Sequence, residues 1–177
     1  MHSHIVLTLT GKDRVGIVEE ITQLLVKLGG NVESSQMARL GGEFAILMLV
    51  ALPAEQSAKL EQATPRLIQQ GYKITISQTE PVPRESRAGW LAFQIEVEGA
   101  DHEGIIHEIA QSLATRGISF ESMETSTHLA PMSGSPLFRM TANIITPPDL
   151  AQQDWQAALT AAGRRLDVEI TVTAAKI

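Results

Sequence analysis

Apolar side chains occupy every second position from His4 to Thr10, with Ile5, Leu7 and Leu9 on one face, the period of a half-buried strand. The period then lengthens. Ile17, Val18, Ile21, Leu24, Leu25 and Leu28 fall at i, i+1, i+4, i+7, i+8 and i+11, one face of a helix, and Gly29-Gly30 stops it. Asn31 to Leu40 reads as a polar-rich strand and Gly41-Gly42 as the turn that reverses it. Phe44 to Leu52 is an unbroken apolar strand, expected at the centre of a sheet. A second helix is predicted over Glu55 to Gln70, where Pro65 should kink or interrupt it, and a closing strand over Tyr72 to Gln78.

The chain then repeats itself. At a constant offset of 88, Gly11, Asp13, Gly16, Ile17, Glu20, Ile21, Gln23, Leu25, Gly29, Glu33 and Ser34 meet identical residues, eleven matches in 24 ungapped columns. Beyond them the offset becomes 94, since Phe44 matches Phe138 and Pro53 matches Pro147, which places about six extra residues within His128–Leu137. The second copy repeats the element order over residues 90–98, 104–116, 118–128, 136–146, 150–163 and 166–174, with Asp149 expected to cap its last helix. A period near 90 residues is too long for a solenoid and marks a duplicated domain.

Residues 80–89 carry two prolines, four charges and no apolar period, and read as a linker between a first domain, 1–79, and a second, 90–177. Strand, helix, strand, strand, helix, strand is the order of an α+β, ferredoxin-like unit, an antiparallel sheet with both helices on one face. The other sheet face needs a cover, which pairing of the two copies or dimerisation would supply.

Composition narrows the function. Hydrophobic residues at 44% and charged residues at 19% describe a folded chain, and aromatics at 4% leave the core to aliphatic side chains. The absence of cysteine excludes disulfides, thiolate zinc sites, iron–sulfur clusters and a thiol nucleophile. The net charge of −6 lies wholly in residues 80–177, with seven basic and thirteen acidic side chains, against seven of each in residues 1–79. No lysine–arginine cluster offers a basic face, so direct nucleic-acid binding is not expected. With no secretion signal and no membrane-length apolar run, the expected compartment is the cytoplasm.

The most informative segment joins the first strand to the first helix: Gly11-Lys12-Asp13-Arg14-Val15-Gly16-Ile17-Val18, echoed as Gly99 to Ile106. Asp13 and Asp101 are expected as helix N-caps, which would place Gly16 and Gly104 inside the first turn. Glycine weakens a helix there, so either a ligand approaches the backbone or a neighbouring element packs closely. Free N–H groups and the helix dipole would favour a carboxylate, with Arg14 offsetting Asp13 in the first copy; His102 and Glu103 stand there in the second. Asn31 is either a further ligand contact or a turn residue.

Other chemistry finds little support. Gly11-x4-Gly16 has the glycine spacing of a phosphate loop, but Ile17-Val18 replaces the required Lys-Ser/Thr. His102 and His107 are five residues apart and diverge on a helix, and His2 and His4 are a weak metal pair, so no metal or cofactor is expected. The recurring Glu20/Glu108 and Glu33/Glu121 read as shared ancestry rather than as catalytic carboxylates.

Gly-x-Asp-x-x-Gly-Ile-[Val/Ile] after a first strand, in a βαββαβ order written twice, resembles the ACT domain, a regulatory module that commonly binds amino acids at domain–domain interfaces. The tandem arrangement, and the stretch Ala130 to Met140, resemble the glycine cleavage system transcriptional repressor family. The resemblance implies a non-enzymatic regulator that responds to a small amino acid, glycine being the one suspected. It also implies contact with a LysR-type activator rather than DNA, and a homodimer. It assigns ligand contacts to Gly11, Asp13, Arg14, Val15, Gly16 and Ile17, and in the second copy to Gly99, Asp101, His102, Glu103, Gly104 and Ile105. Glu103, and Ser119 in place of the strand asparagine, depart from the family pattern, so the first copy is expected to bind and the second to pair or contact a partner. The alternatives are a ligand-free pairing scaffold and a regulatory subunit of an amino-acid metabolic enzyme.

Overall fold

A computed structural model describes residues 2–80, 87–131, 133–150 and 152–175, with the side chains of residues 152 and 153 outside the description. The chain divides into two compact units, residues 1–83 and 84–177. Most of the expected linker lies outside the described residues.

Unit one contains β1 (His2–Lys12), α1 (Ile17–Lys27), β2 (Asn31–Leu40), β3 (Glu43–Pro53), α2 (Ser57–Gln69) and β4 (Lys73–Thr79), with a single 3₁₀ turn before α2. Its sheet is antiparallel throughout, in the order β2-β3-β1-β4. Unit two repeats this with β5 (Leu91–Ala100), α3 (Ile105–Ala114), β6 (Ser119–Leu129), β7 (Pro136–Thr146), α4 (Gln152–Leu166) and β8 (Val168–Ala174), in the order β6-β7-β5-β8. Both are ferredoxin-like sheets.

Each unit has its own core. Ile5, Leu7 and Leu9 of β1 and Phe44 to Leu52 of β3, taken at alternate positions, meet Ile17, Ile21 and Leu25 of α1 and Leu60 and Leu67 of α2. The matching cluster in unit two gathers Phe93, Ile95 and Val97 with Ile105, Ile109, Leu113 and Trp155. The central strand β3 looked continuously apolar in sequence, yet only alternate side chains are buried, because the helices cover one face of the sheet.

Local chemistry accounts for the element ends. Gly29, at φ 71°, sends its N–H to the Val26 carbonyl, and the Gly30 N–H reaches Leu25, a left-handed helix stop repeated at Gly117 and Ile118. Gly41 and Gly42 both have positive φ, as a two-residue hairpin demands. In unit two the hairpin runs one pair further, to Leu129 opposite Pro136, and the six-residue loop 130–135 replaces the glycine pair. β2 and β6 each carry a bulge at the recurrent glutamate column, Glu33 and Glu121.

Two sequence expectations change. Pro65 does not interrupt α2. The Glu61 carbonyl that loses its usual N–H donor to the proline ring instead accepts the Thr64 hydroxyl at 2.8 Å. Asp149 does not cap α4 directly; it lies in a turn closed by the Leu150 N–H on the Pro147 carbonyl, and α4 is described from Gln152.

Candidate functional site

The turn after β1 is held at one end of the sheet. The Asp13 N–H donates to the Gly42 carbonyl at 3.4 Å, and in unit two the Asp101 N–H donates to the Pro136 carbonyl at 3.0 Å, so each turn rests on the root of its own hairpin. Neither aspartate is the N-cap. Gly16 and Gly104 are, at φ 90° and 96°, with no side-chain hydrogen bond on either helix start. Three residues separate each aspartate from its first helical residue, and the left-handed glycine turns the backbone away from the carboxylate. The glycines stand just before the first turn rather than within it, where a left-handed conformation needs glycine for its own sake.

The N–H groups of the first helical turn therefore face outward without a capping side chain, in both units, at the same column. A Cβ added at Gly16 or Gly104 would meet nothing within 4 Å. That open space in front of uncapped N–H groups suits a small anion. Val15 beside it is fully exposed, whereas Ile17 and Ile105 are buried in the cores and contribute only backbone to such a site.

The electrostatics differ from the sequence expectation. Arg14 does not offset Asp13. Its guanidinium turns back to Glu20 and to the Gln70 amide oxygen, 3.0 Å away, and lies 5.5 Å over the Tyr72 ring. The hydrogen bond from Arg14 holds the Glu20 carboxyl below the usual range, against a smaller effect of burial. Asp13 is neutralised by Arg39, at the end of β2, whose Nη1 donates to it at 3.2 Å. Arg39 escapes a reading by local motif because it is 26 residues away; only the hairpin register brings it back. In unit two, residue 127 stands at that position, and the Thr127 hydroxyl donates to Asp101 at 3.3 Å. Among the described residues, the second turn has no counter-charge there.

Asn31 is not part of this constellation. It pairs with Ala51, which in turn faces His4 at the start of β1. Helix α1 carries the chain back along the sheet, so Asn31 begins β2 at the end opposite the turn, about 25 Å away at strand rise. Gly11 and Gly99 serve packing: a Cβ at Gly11 would fall 2.5 Å from the Tyr72 ring, and one at Gly99 2.8 Å from Val168 and 2.9 Å from the Asp167 carbonyl. Among the described residues, no group of three or more His, Asp and Glu is placed to hold a metal.

His102 takes the place of Arg14 in a titratable form. Its Nε2 lies 2.6 Å from the Leu166 carbonyl at the end of α4, and its Nδ1 3.0 Å from the Glu103 carbonyl. Both partners only accept, so both nitrogens donate when the ring is an imidazolium. The Leu166 bond first, then the Glu103 bond, hold its pKa above the ordinary imidazole value; Asp101 and Asp167 add to this and burial opposes it. Because the folded pKa is raised, this stabilisation is complete below the unfolded value of about 6.5 and is lost as pH rises through the folded one. In thermal melts, His102→Gln is expected to lower the stability of unit two at about pH 5.5 and to have a smaller effect at about pH 8.5. A gap that widened with pH would contradict this.

Comparison with known proteins follows the same lines. The sequence profile of the ACT domain matches residues 3–76, the whole of the first sheet-and-helix unit up to β4. The likeness to the ACT domain thus falls on the first unit. The second unit, outside that match, repeats the same strand order and the same glycine-capped turn. Across 100 residues the chain is 30% identical to the glycine cleavage system transcriptional repressor of Escherichia coli (strain K12), and equally to that of Shigella flexneri. That match involves 56% of this chain and 53% of each relative, so the matched region spans about half the length of the curated relatives. The solved structure of an unknown protein from Galdieria sulphuraria is 33% identical, with a TM-score of 0.86 over 99% of this chain and 100% of that one. A candidate glycine cleavage system transcriptional repressor of known structure is 25% identical, with a TM-score of 0.73 over 100% of this chain and 99% of its own. No described helix of the chain is long and apolar enough to cross a membrane.

Proposed function

We propose that this chain is a tandem ACT protein, a non-enzymatic, amino-acid-responsive regulator of glycine cleavage genes. It acts by contact with a transcriptional activator of the LysR type and not by binding DNA. The observation that carries the ligand reading is the uncapped, glycine-opened helix start of unit one, with open space before it. Similarity to the repressors along the chain supports the pathway. A zwitterion of the size of glycine would place its carboxylate on the N–H groups of the first turn of α1. Asp13, already paired with Arg39, would stand by for the ammonium group. Unit two keeps the backbone but has Thr127 and Glu103 around it, and is assigned to partner contact.

Calorimetric titration with glycine, with serine and alanine as controls, tests this. Saturable glycine binding is expected for the wild type and none for Gly16→Val. The valine Cβ would enter the space before the helix, and a branched residue at φ 90° costs about 1–2 kcal/mol, too little to unfold the unit. A folded Gly16→Val that bound glycine as the wild type does would remove the site from this turn. Binding of another amino acid alone would sink the glycine assignment and leave the sensor.

A further inference from the structure

The two sheets carry the same strands in the same register, yet their helix-free faces differ along the two central strands. In unit one this face is formed by Val6 and Thr8 of β1, Ala45, Leu47, Leu49 and Ala51 of β3, and Thr75 and Ser77 of β4. Its centre bears apolar or hydroxyl side chains along β1, β3 and β4 and the Gln36 amide of β2 beside Leu47, its margins carry the titratable His4, Lys12, Glu43 and Lys73, and Leu47 stands 46% exposed. The equivalent positions of unit two hold Gln94 and Glu96 on β5 and Arg139, Thr141 and Asn143 on β7, with Glu169 replacing Lys73, while Ile145, Thr171 and Thr173 keep the apolar or hydroxyl character of Ala51, Thr75 and Ser77. Glu96, Glu98, Arg139 and Glu169 there line an open hollow of about 360 Å³. One fold has thus been given a water-facing surface in one copy and a water-avoiding one in the other.

We propose that the helix-free sheet face of unit one is the homodimer interface, packed on the same face of a second copy of the chain about a two-fold axis. Charge selects this occupant. A carboxylate-bearing surface laid on the face would bury its acids without partners, whereas two copies of an uncharged face bury no ion at the centre. The size is adequate: four strands about 4.8 Å apart and up to eleven residues long give roughly 20 by 35 Å, or ~700 Å² per copy. Twice that area clears the ~1,000 Å² needed for a stable interface.

The chain contains no cysteine, so a single introduced one reports only contacts between chains. Leu47→Cys, at the middle of the face, is expected to form a disulfide-linked dimer on mild oxidation, and Thr141→Cys, at the matching column of unit two, is not. Sedimentation should show the wild type as a dimer. In Val6→Gln/Leu47→Thr, the side chains are those the sister sheet carries at the same columns, so the fold is retained. The dissociation constant should rise by about 100-fold or more. A wild type that sediments as a monomer would overturn the proposal in favour of another occupant of the face. So would a Val6→Gln/Leu47→Thr protein, folded by circular dichroism, that dimerised unchanged. Equal cross-linking of the Leu47→Cys and Thr141→Cys variants would overturn it as well.

Discussion

Trp155→Ala is expected to lower the unfolding free energy of unit two by about 3–5 kcal/mol, measured by urea denaturation followed by circular dichroism. Trp155 is 1% exposed and is the largest fully buried side chain of the described residues. From α4 it closes the core of unit two, meeting the Phe93 ring edge-on at a centroid distance of 5.1 Å. An aromatic content of only 4% means that few neighbours are bulky enough to collapse into the space an alanine would leave. Trp155→Phe separates shape from volume. The indole N–H finds no acceptor among the described residues, and a buried donor without a partner is itself unfavourable by about 1–3 kcal/mol. Phenylalanine removes that donor together with part of the ring, so its loss should stay within about 1.5 kcal/mol. A phenylalanine variant as damaged as the alanine one would mean that the indole N–H is satisfied in solution.

The second large effect concerns the glycine that opens the repeated motif. Gly99→Ala is expected to destabilise unit two by about 3 kcal/mol, and Gly11→Ala to destabilise unit one by less, about 1–2 kcal/mol. Around Gly99 the obstructing atoms include the Asp167 carbonyl oxygen and the Val168 Cα, both 2.9 Å from the added methyl, so the start of β8 would have to move. Asp167 is already at φ 52°, the one non-glycine with positive φ among the described residues, and has little freedom to give. Around Gly11 the nearest atoms belong to the Tyr72 ring, which can tilt, at the expense of its hydroxyl bond to the Lys12 carbonyl. Paired denaturation curves decide the order. Equal losses would show that β8 yields as readily as a tyrosine ring.

These glycines also show where sequence reasoning reaches its limit. The element order, the helix stops at Gly29 and Gly117 and the hairpin glycines were legible because each depends on residues within a few positions of one another, and the duplication because the same pattern recurs at a fixed offset. The role of Gly11 was not, since its reason lies at Tyr72, across the sheet. The same holds for Arg39, which meets Asp13 only through the pairing of β2 with β3, and for the Arg14 contact with Gln70. Asn31 looked like a neighbour of the turn because both flank α1; that helix spans the length of the sheet and separates them. The N-cap assignment failed on a conformation: an aspartate four residues ahead of a helix signals a cap only when the intervening backbone leads straight in, and Gly16 at φ 90° does not.

The bulges at Glu33 and Glu121 have a consequence for how the two units can be recombined. Since the extra residue falls at the same column in both, β2 and β6 are displaced from their partners by the same step. Residues 31–40 and 119–128 are therefore interchangeable cassettes, since neither graft would reverse which side chains face inward. Such an exchange would carry Thr127 to the place of Arg39, or the reverse, and with it the countercharge of the aspartate. What distinguishes the electrostatics of the two turns is thus borne on a transplantable strand, outside the glycine loop and the helix that the two units share.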